Sequence, residues 1–371
     1  MDPTDIAEYR RRNVPLYNAN KMKLGVFGIN VSYGGTITFA ETSFRPTYLH
    51  NVAIAKKAEA LGLEFLIPFG RWKSLGGESD YNGDCLEVYT WAAAIAAQTE
   101  RIMVFATSHV PTVHPIVSAK QGATIDHISN GRWALNIVCG WYTPEMEMFG
   151  VTQMPHDDRY RYAAEWLEVV KRLWTEQHFE HAGEFFRVKD GYLLPKPIQK
   201  PYPVVVNAGA SPAGRDFSAR HVDFNFISVD TLENGQTLAE DVRRRARGYG
   251  REIGVMTYGF LLCRETEREA KQTLDYILEK GDWEAAANIM RTLGIESQSF
   301  GNQIKQFAAR WVAGWGGYPM VGTPEQVVDE LLKLSRIGVE GVALIGHDYL
   351  EELNFFGERV LPLMRQAGLR T

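Results

Sequence analysis

Cysteine is scarce in this sequence. Cys85, Cys139 and Cys263 are the only three in 371 residues, too few and too scattered for a disulfide framework or a thiolate metal site. No HExxH occurs, and the nine histidines are dispersed. His178 and His181 stand three apart but flank an expected turn without carboxylate company, so no metal is expected. A GxSxG elbow, a P-loop and a GxGxxG after a strand are all missing. Their absence removes the usual sequence grounds for a serine hydrolase, a nucleotide-cleaving enzyme or a dinucleotide-binding sheet. A formal net charge of −5 offers nothing to a nucleic-acid backbone. The longest purely apolar run, Trp91–Ala97, is far too short to cross a membrane. The first residues, MDPTDIAEYRRR, have arginines but no apolar stretch behind them, so no signal peptide is read and a soluble, cytoplasmic protein is expected.

What the sequence does have is core. Hydrophobic residues make up 45% of it, which excludes a disordered chain. At about 150 residues per domain the length suits two or three domains, or one large α/β barrel. Short apolar runs alternate with helical patterns throughout: Leu24–Phe27, Phe65–Phe69, Ile102–Thr107, Trp133–Val138, Pro203–Ala208, Phe224–Val229, Val255–Leu262 and Gly341–Ile345 as strands. Helices are expected over Tyr48–Leu61, Leu86–Ala97, Ile116–Ile128, Asp158–Trp174, Gly214–Val222, Leu232–Tyr249, Thr323–Ile337 and Tyr349–Ala367. The Asp158–Trp174 stripe is the clearest, with Ala163, Trp166, Leu167, Val170 and Leu173 on one face. Thr323-Pro324-Glu325-Gln326 reads as a capping box, and HFEHAGEFFRV as a hairpin turning at Ala182-Gly183.

Eight nearly continuous apolar strands separated by helices predict a parallel (β/α)8 TIM barrel; an open doubly wound sheet is the competitor. No repeat or low-complexity linker divides the chain. Residues 1–21 are read as an N-terminal extension and 22–371 as a single domain. Two connections exceed ordinary loop length, Gly28–Thr47 and Lys280–Gly322, and both are expected as insertions at the C-terminal mouth. The second combines an amphipathic piece (Asp282–Leu293), a polar ESQSFGNQ stretch and the Gly- and Trp-rich WVAGWGGYP. That is the composition of a lid, with a subunit-interface arm as the alternative.

With metal, nucleophile and dinucleotide motifs absent, a mouth rich in aromatics and amides suits a flat cofactor whose own ring does the chemistry. Its phosphate needs backbone N–H groups and hydroxyls. Gly209-Ala210-Ser211-Pro212-Ala213-Gly214, between a strand and a helix, offers both, although Ser211 is equally an ordinary N-cap. Arg159-Tyr160 at a helix start could reach the same phosphate. Asn136, inside the apolar run WALNIV, is expensive to bury without a partner. Cys139 reads as a small core residue rather than a reactive thiol.

Four blocks extend the argument: IDHISNGRWALNIVCGW (Ile125–Trp141), PEMEMFG (Pro144–Gly150), HDDRYRYAAEWL (His156–Leu167) and FGERVLPLM (Phe356–Met364). In order and spacing they resemble the luciferase-like, FMN-dependent monooxygenases, over nearly the whole chain from Met22. FAT (Phe105–Thr107), NAGASPAG and FSARHVDFNF bring it nearest to the pyrimidine oxygenase branch. TIDHISNGR and HDDRY are similar also to the dimethylsulfone and alkanesulfonate monooxygenases.

The resemblance implies a two-component enzyme: a separate NAD(P)H:flavin reductase supplies reduced FMN, O2 is the co-substrate, and a flavin-peroxide intermediate oxygenates a small molecule. A pyrimidine-type nitrogen heterocycle is expected, or else an organosulfur compound. A non-catalytic flavin-binding barrel and a barrel lyase or isomerase holding a sugar phosphate at Ser211 stay open. The resemblance places Thr107 and Asn136 beside dioxygen, with Trp141 walling the site. It places flavin contacts at Gly70, Arg71, Asn136, Glu145, Arg159, Tyr160 and Ser211. The pyrimidine branch has lysine at position 71 and lacks both His109 and His114, which are expected to line the substrate pocket. A homodimer or homotetramer is expected, with no nucleic-acid or membrane partner.

Overall fold

Near-continuous apolar runs become buried parallel strands. The computed structural model describes residues 2–294 and 301–371. Its strands are β1 (Lys23–Phe27), β2 (Phe65–Ile67), β3 (Met103–His109), β4 (Trp133–Val138), β5 (Phe179–Ala182), β6 (Arg187–Gly191), β7 (Val204–Asn207), β8 (Phe224–Phe226), β9 (Gly254–Cys263), β10 (Tyr318–Gly322) and β11 (Gly341–Gly346). β5 and β6 form the expected antiparallel hairpin. The other nine belong to one sheet, and the fold class is the (β/α)8 barrel. Every residue of β2, β3, β7, β8 and β11 is buried, as strands covered on both faces must be.

The chain divides into two compact units. One comprises Met1–Asn18, Glu87–Phe226 and Asp241–Gly254. In it β3, β4, β7 and β8 lie side by side, with Thr107 opposite Asn136 and Asn136 opposite Val206. The other comprises Ala19–Leu86, Ile227–Glu240 and Val255–Thr371 and carries the order β10-β9-β11-β1-β2.

The structure departs from the sequence reading, or adds to it, in four places. β10 is a ninth parallel strand, running beside the later part of β9 from Tyr318↔Gly259 to Gly322↔Cys263. Its YPMVG sequence reads as loop because of Pro319, but an edge strand tolerates a missing N–H, and Pro319 is exposed there. The Gly28–Thr47 connection, read only as a long mouth insertion, is tightly packed. Ile29, Val31 and Ile37 are buried, and the Asn30 amide donates to Phe69 O and Leu86 O while accepting from Phe69 N–H.

The closing helix is not uniform: Tyr349–Phe355 widens into a π-turn over Phe356–Val360 before Leu361–Gln366. The Leu361 N–H bonds back five residues to Phe356 O, directly before Pro362. A wide turn lets the chain absorb a proline ring that would otherwise clash with the preceding turn. Lastly, the N-terminal extension begins with a helix, Pro3–Asn13, capped by the Asp2 side chain.

That helix is anchored. The Arg10 Nη1 donates to Asp223 Oδ1 at 2.7 Å and to Tyr17 Oη at 2.8 Å, while Asp223 Oδ2 accepts from Val205 N–H. Burial pushes the Asp223 carboxyl up, but Arg10 and Lys171 outweigh it and hold it below its usual range. Truncating one partner strands the other charge. Arg10→Ala is therefore expected to cost about 3–5 kcal/mol, read from urea unfolding midpoints. A loss below about 1 kcal/mol would reduce the contact to a surface ion pair.

Candidate active site

Strand register brings Thr107 and Asn136 together. They are opposite residues of β3 and β4, 7% and 6% exposed, and the Asn136 Nδ2 donates to Thr107 Oγ1 at 3.2 Å. The Asn136 Oδ1 is buried with no hydrogen-bond partner. An unsatisfied buried amide oxygen costs on the order of 1–3 kcal/mol, so the position calls for a donor from a ligand.

Two residues further along β3 is His109. It is 4% exposed, and its Nδ1 lies 3.3 Å from Oε2 of the fully buried Glu145, a close approach outside hydrogen-bond geometry. Glu145 comes from the short helix Thr143–Met148. His114 goes elsewhere: it is exposed and caps the helix Pro115–Ile128, its Nδ1 accepting from Ile116 N–H. Trp141, past the end of β4, is half-buried with its ring 5.6 Å from that of Tyr142. Cys139 is a sealed core thiol, pushed up to about 12 by burial.

A second group gathers around the helix Pro212–His221. Ser211 is its N-cap, the Oγ accepting from Gly214 N–H at 3.1 Å. Gly209 and Gly214 face each other so closely that a Cβ on Gly209 would lie 2.7 Å from Gly214 Cα. A Cβ on Gly214 would lie 2.6 Å from the Tyr160 hydroxyl, which therefore hangs over this first turn. Burial raises the Tyr160 pKa, keeping it a protonated donor. Arg159, on the helix His156–Thr175, donates from Nη1 to Gly140 O at 2.6 Å, and its buried Nε has no partner.

The turn itself is set by residues that the sequence reading missed. Asn207 Oδ1 accepts from Gly209 N–H at 2.8 Å and from Ser218 Oγ at 3.0 Å, while Asn225 Nδ2 donates to both Asn207 O and Ser218 Oγ. Asn207 ends the run VVVN and Asn225 sits in FNF. The logic that singles out Asn136 in WALNIV, the cost of burying an amide, would have found both.

Gly70 and Arg71 belong to the other compact unit. Arg71 is buried there, its guanidinium 5.9 Å from the Phe69 ring centroid and 5.8 Å from that of Trp315. The expectation that His178 and His181 lack carboxylates is corrected. His178 pairs with Asp190 and His181 with Glu165, because β5 and β6 and the helix before them bring distant acids alongside. His181 also has Glu168 3.8 Å from its Nδ1, yet no metal-ligating group of three or more occurs among the described residues.

Comparison with known proteins identifies the class to which this barrel belongs. The family model for luciferase-like monooxygenases matches residues 22–341, and the chain belongs to that family. It is 30% identical over 354 residues to an FMNH2-dependent dimethylsulfone monooxygenase of Pseudomonas putida, covering 91% of this chain and 93% of that protein. It is 32% identical over 354 residues to pyrimidine monooxygenase RutA of Escherichia coli strain K12, covering 93% and 92%. Among solved structures, riboflavin lyase RcaE with modified FMN and riboflavin superposes with a TM-score of 0.84 at 23% identity, over 95% of this chain and 93% of that one. The last likeness concerns fold alone.

Proposed function

We propose that the protein is an FMN-dependent, two-component monooxygenase that takes reduced FMN from a separate NAD(P)H:flavin reductase and places one atom of O2 on a small organic substrate. The observation that carries this reading is the Thr107–Asn136 pair, a buried hydroxyl and amide whose remaining oxygen has no protein partner. Turning the amide over would present its NH2 instead, so either orientation leaves a polar atom for a ligand.

The residues present fit FMN. The Gly209–Gly214 approach makes a cradle with no room for a Cβ, Ser211 and Tyr160 beside it are hydroxyl donors that a phosphate takes, and Arg159, next to Tyr160 in the chain, would add a charged donor. Asn136 and Glu145 would meet polar edges of the ring system. When bound, reduced FMN supplies the two electrons that O2 activation needs. The chain's own part is to orient and to stabilise. With the amide turned so that its NH2 faces the oxygen, Asn136 donates to it as it gains charge while Thr107 holds the amide in place, and Trp141 helps to keep water out.

The substrate is a pyrimidine-type nitrogen heterocycle. An organosulfur compound is the second reading, favoured by the dimethylsulfone relative and by His109, an ionisable residue not expected in a pyrimidine pocket. Titrating the protein with FMN while following tryptophan fluorescence tests the flavin step. Saturable quenching is expected, and none would favour a sugar-phosphate barrel instead. Removing both phosphate hydroxyls, in Ser211→Ala with Tyr160→Phe, is expected to weaken FMN binding by about 1–3 kcal/mol. Unchanged affinity would remove the phosphate from this turn.

A further inference from the structure

We propose that Arg215, braced by Asp241, is a positioning residue for the FMN phosphate, holding the Gly209–Gly214 turn in its binding form and supplying the positive charge by which the enzyme prefers FMN to riboflavin. The inference rests on the flavin reading above and adds a residue to which that reading gives no role. Arg215 stands four positions after the Ser211 cap, on the helix Pro212–His221. Side chains of a helix lean toward its N-terminus, and this one reaches back over the first turn. Its Nη1 donates to Ala210 O, inside the phosphate turn, and its Nε donates to Asp241 Oδ2 at 2.7 Å. Both side chains are mostly buried, at 14% and 16% exposed. Turn, arginine and aspartate belong to one compact unit.

The bond to Ala210 O decides where a donor points. Ala210 C=O and Ser211 N–H share one trans peptide plane and face opposite ways, so an arginine that fixes the carbonyl also fixes the N–H. Around the turn, Gly209 N–H is taken by Asn207 Oδ1 and Gly214 N–H by Ser211 Oγ. The N–H groups of Ala210 and Ser211 bond to nothing among the described residues. Those two are backbone donors left for an anion.

Charge points the same way. A helix start favours acids, yet the first turn here has none and an arginine lies over it, an unfavourable arrangement unless an anion joins it. Asp241 does not cancel the excess. It also pairs with Arg244 and Arg245, while Arg245 and Arg220 pair with Asp216, so four arginines meet two aspartates. The two positive charges left over match the charge of about −1.5 to −2 on a phosphate monoester near neutral pH. Burial pushes the Asp241 carboxyl up, but hydrogen bonds from Arg215 and Arg245 outweigh it and hold it at about 2, so the brace stays charged throughout the neutral range.

Tryptophan fluorescence titrations of the purified protein with FMN and with riboflavin test this, because riboflavin lacks only the phosphate. The wild type is expected to bind FMN more tightly. Arg215→Gln is expected to lower FMN affinity by about ten-fold or more while leaving riboflavin affinity within about two-fold. Retained riboflavin binding also reports that the variant is folded. Asp241→Asn separates brace from charge: it makes the cluster more positive but frees the arginine. Weaker FMN binding is expected, and unchanged or tighter binding would overturn the positioning role. Arg215→Lys keeps the charge but cannot span both partners, so it is expected to recover only part of the loss, and full recovery would overturn the brace. Unchanged FMN affinity in Arg215→Gln, or equal losses for the two flavins, would refute the inference. A wild type that binds both flavins equally would refute the inference alone, whereas one that binds neither would remove the flavin reading with it.

Discussion

Asn136→Ala is expected to lower product formation by about 10²-fold or more while leaving FMN affinity within a few-fold. Thr107→Val is expected to do the same. The reason is geometric. The two side chains hydrogen-bond to each other across adjacent strands at 3.2 Å, so losing either one misplaces the other. A donor preorganised at a site of developing charge in a dry environment contributes far more than it would in water, because no solvent must reorganise to replace it. Flavin affinity draws chiefly on the Gly209–Gly214 turn and its hydroxyls, which belong to other elements, so the single ring-edge contact of Asn136 changes it only a few-fold. NADH consumption, peroxide release and product would be measured together. Full product yield from both variants would remove oxygen from this pair.

Replacing Lys280–Gly322 by a short Gly-Ser turn is expected to leave no folded protein, rather than an uncoupled enzyme with an open lid. One face of the described part of the segment is built into the core. Ala285, Ala286, Ile289 and Val312 are buried, and Met320 is fully enclosed in β10. Asp282 caps the helix Trp283–Thr292 and also accepts from Ser79 N–H and Oγ, while Ile37 N–H donates to Val312 O at 2.7 Å. Losing several buried aliphatic side chains at about 2–5 kcal/mol each exceeds the stability of an ordinary domain. Circular dichroism and size-exclusion chromatography of the shortened chain decide the point. A native-like melting transition would show the segment to be dispensable. The ESQSFGNQ stretch, expected to be cut first by proteases near Glu296–Gln303, falls at 296–300 outside the described residues.

Legibility followed the physics of each signal. Strands buried on both faces announce themselves as apolar runs, and the limits of β4 are those read from WALNIV. Buried amides announce themselves by their cost, which is why Asn136 stood out. Partnerships between distant residues do not. Glu145 follows His109 by 36 positions, and nothing local in PEMEMFG points to an imidazole. β10 was hidden because proline and glycine mark loops everywhere except at an edge. The Gly209–Gly214 contact was readable as small residues, but its closeness depends on Asn207 and Asn225, whose roles come from packing. His114 shows the opposite case, a histidine placed near the site by sequence that the fold uses as a helix cap.

The central claim is that this chain transfers one atom of O2 to a small molecule with electrons from reduced FMN. Its most direct test is mass spectrometry of reactions run under oxygen-18 gas with FMN, NADH and a generic flavin reductase, offering uracil and dimethyl sulfone separately. One of them is expected to yield a product carrying a single oxygen-18 atom, dependent on both FMN and the enzyme. FMN binding accompanied only by hydrogen peroxide, with no labelled product from a broader panel of heterocycles and sulfones, would contradict it and leave a flavin-binding barrel without oxygenase activity.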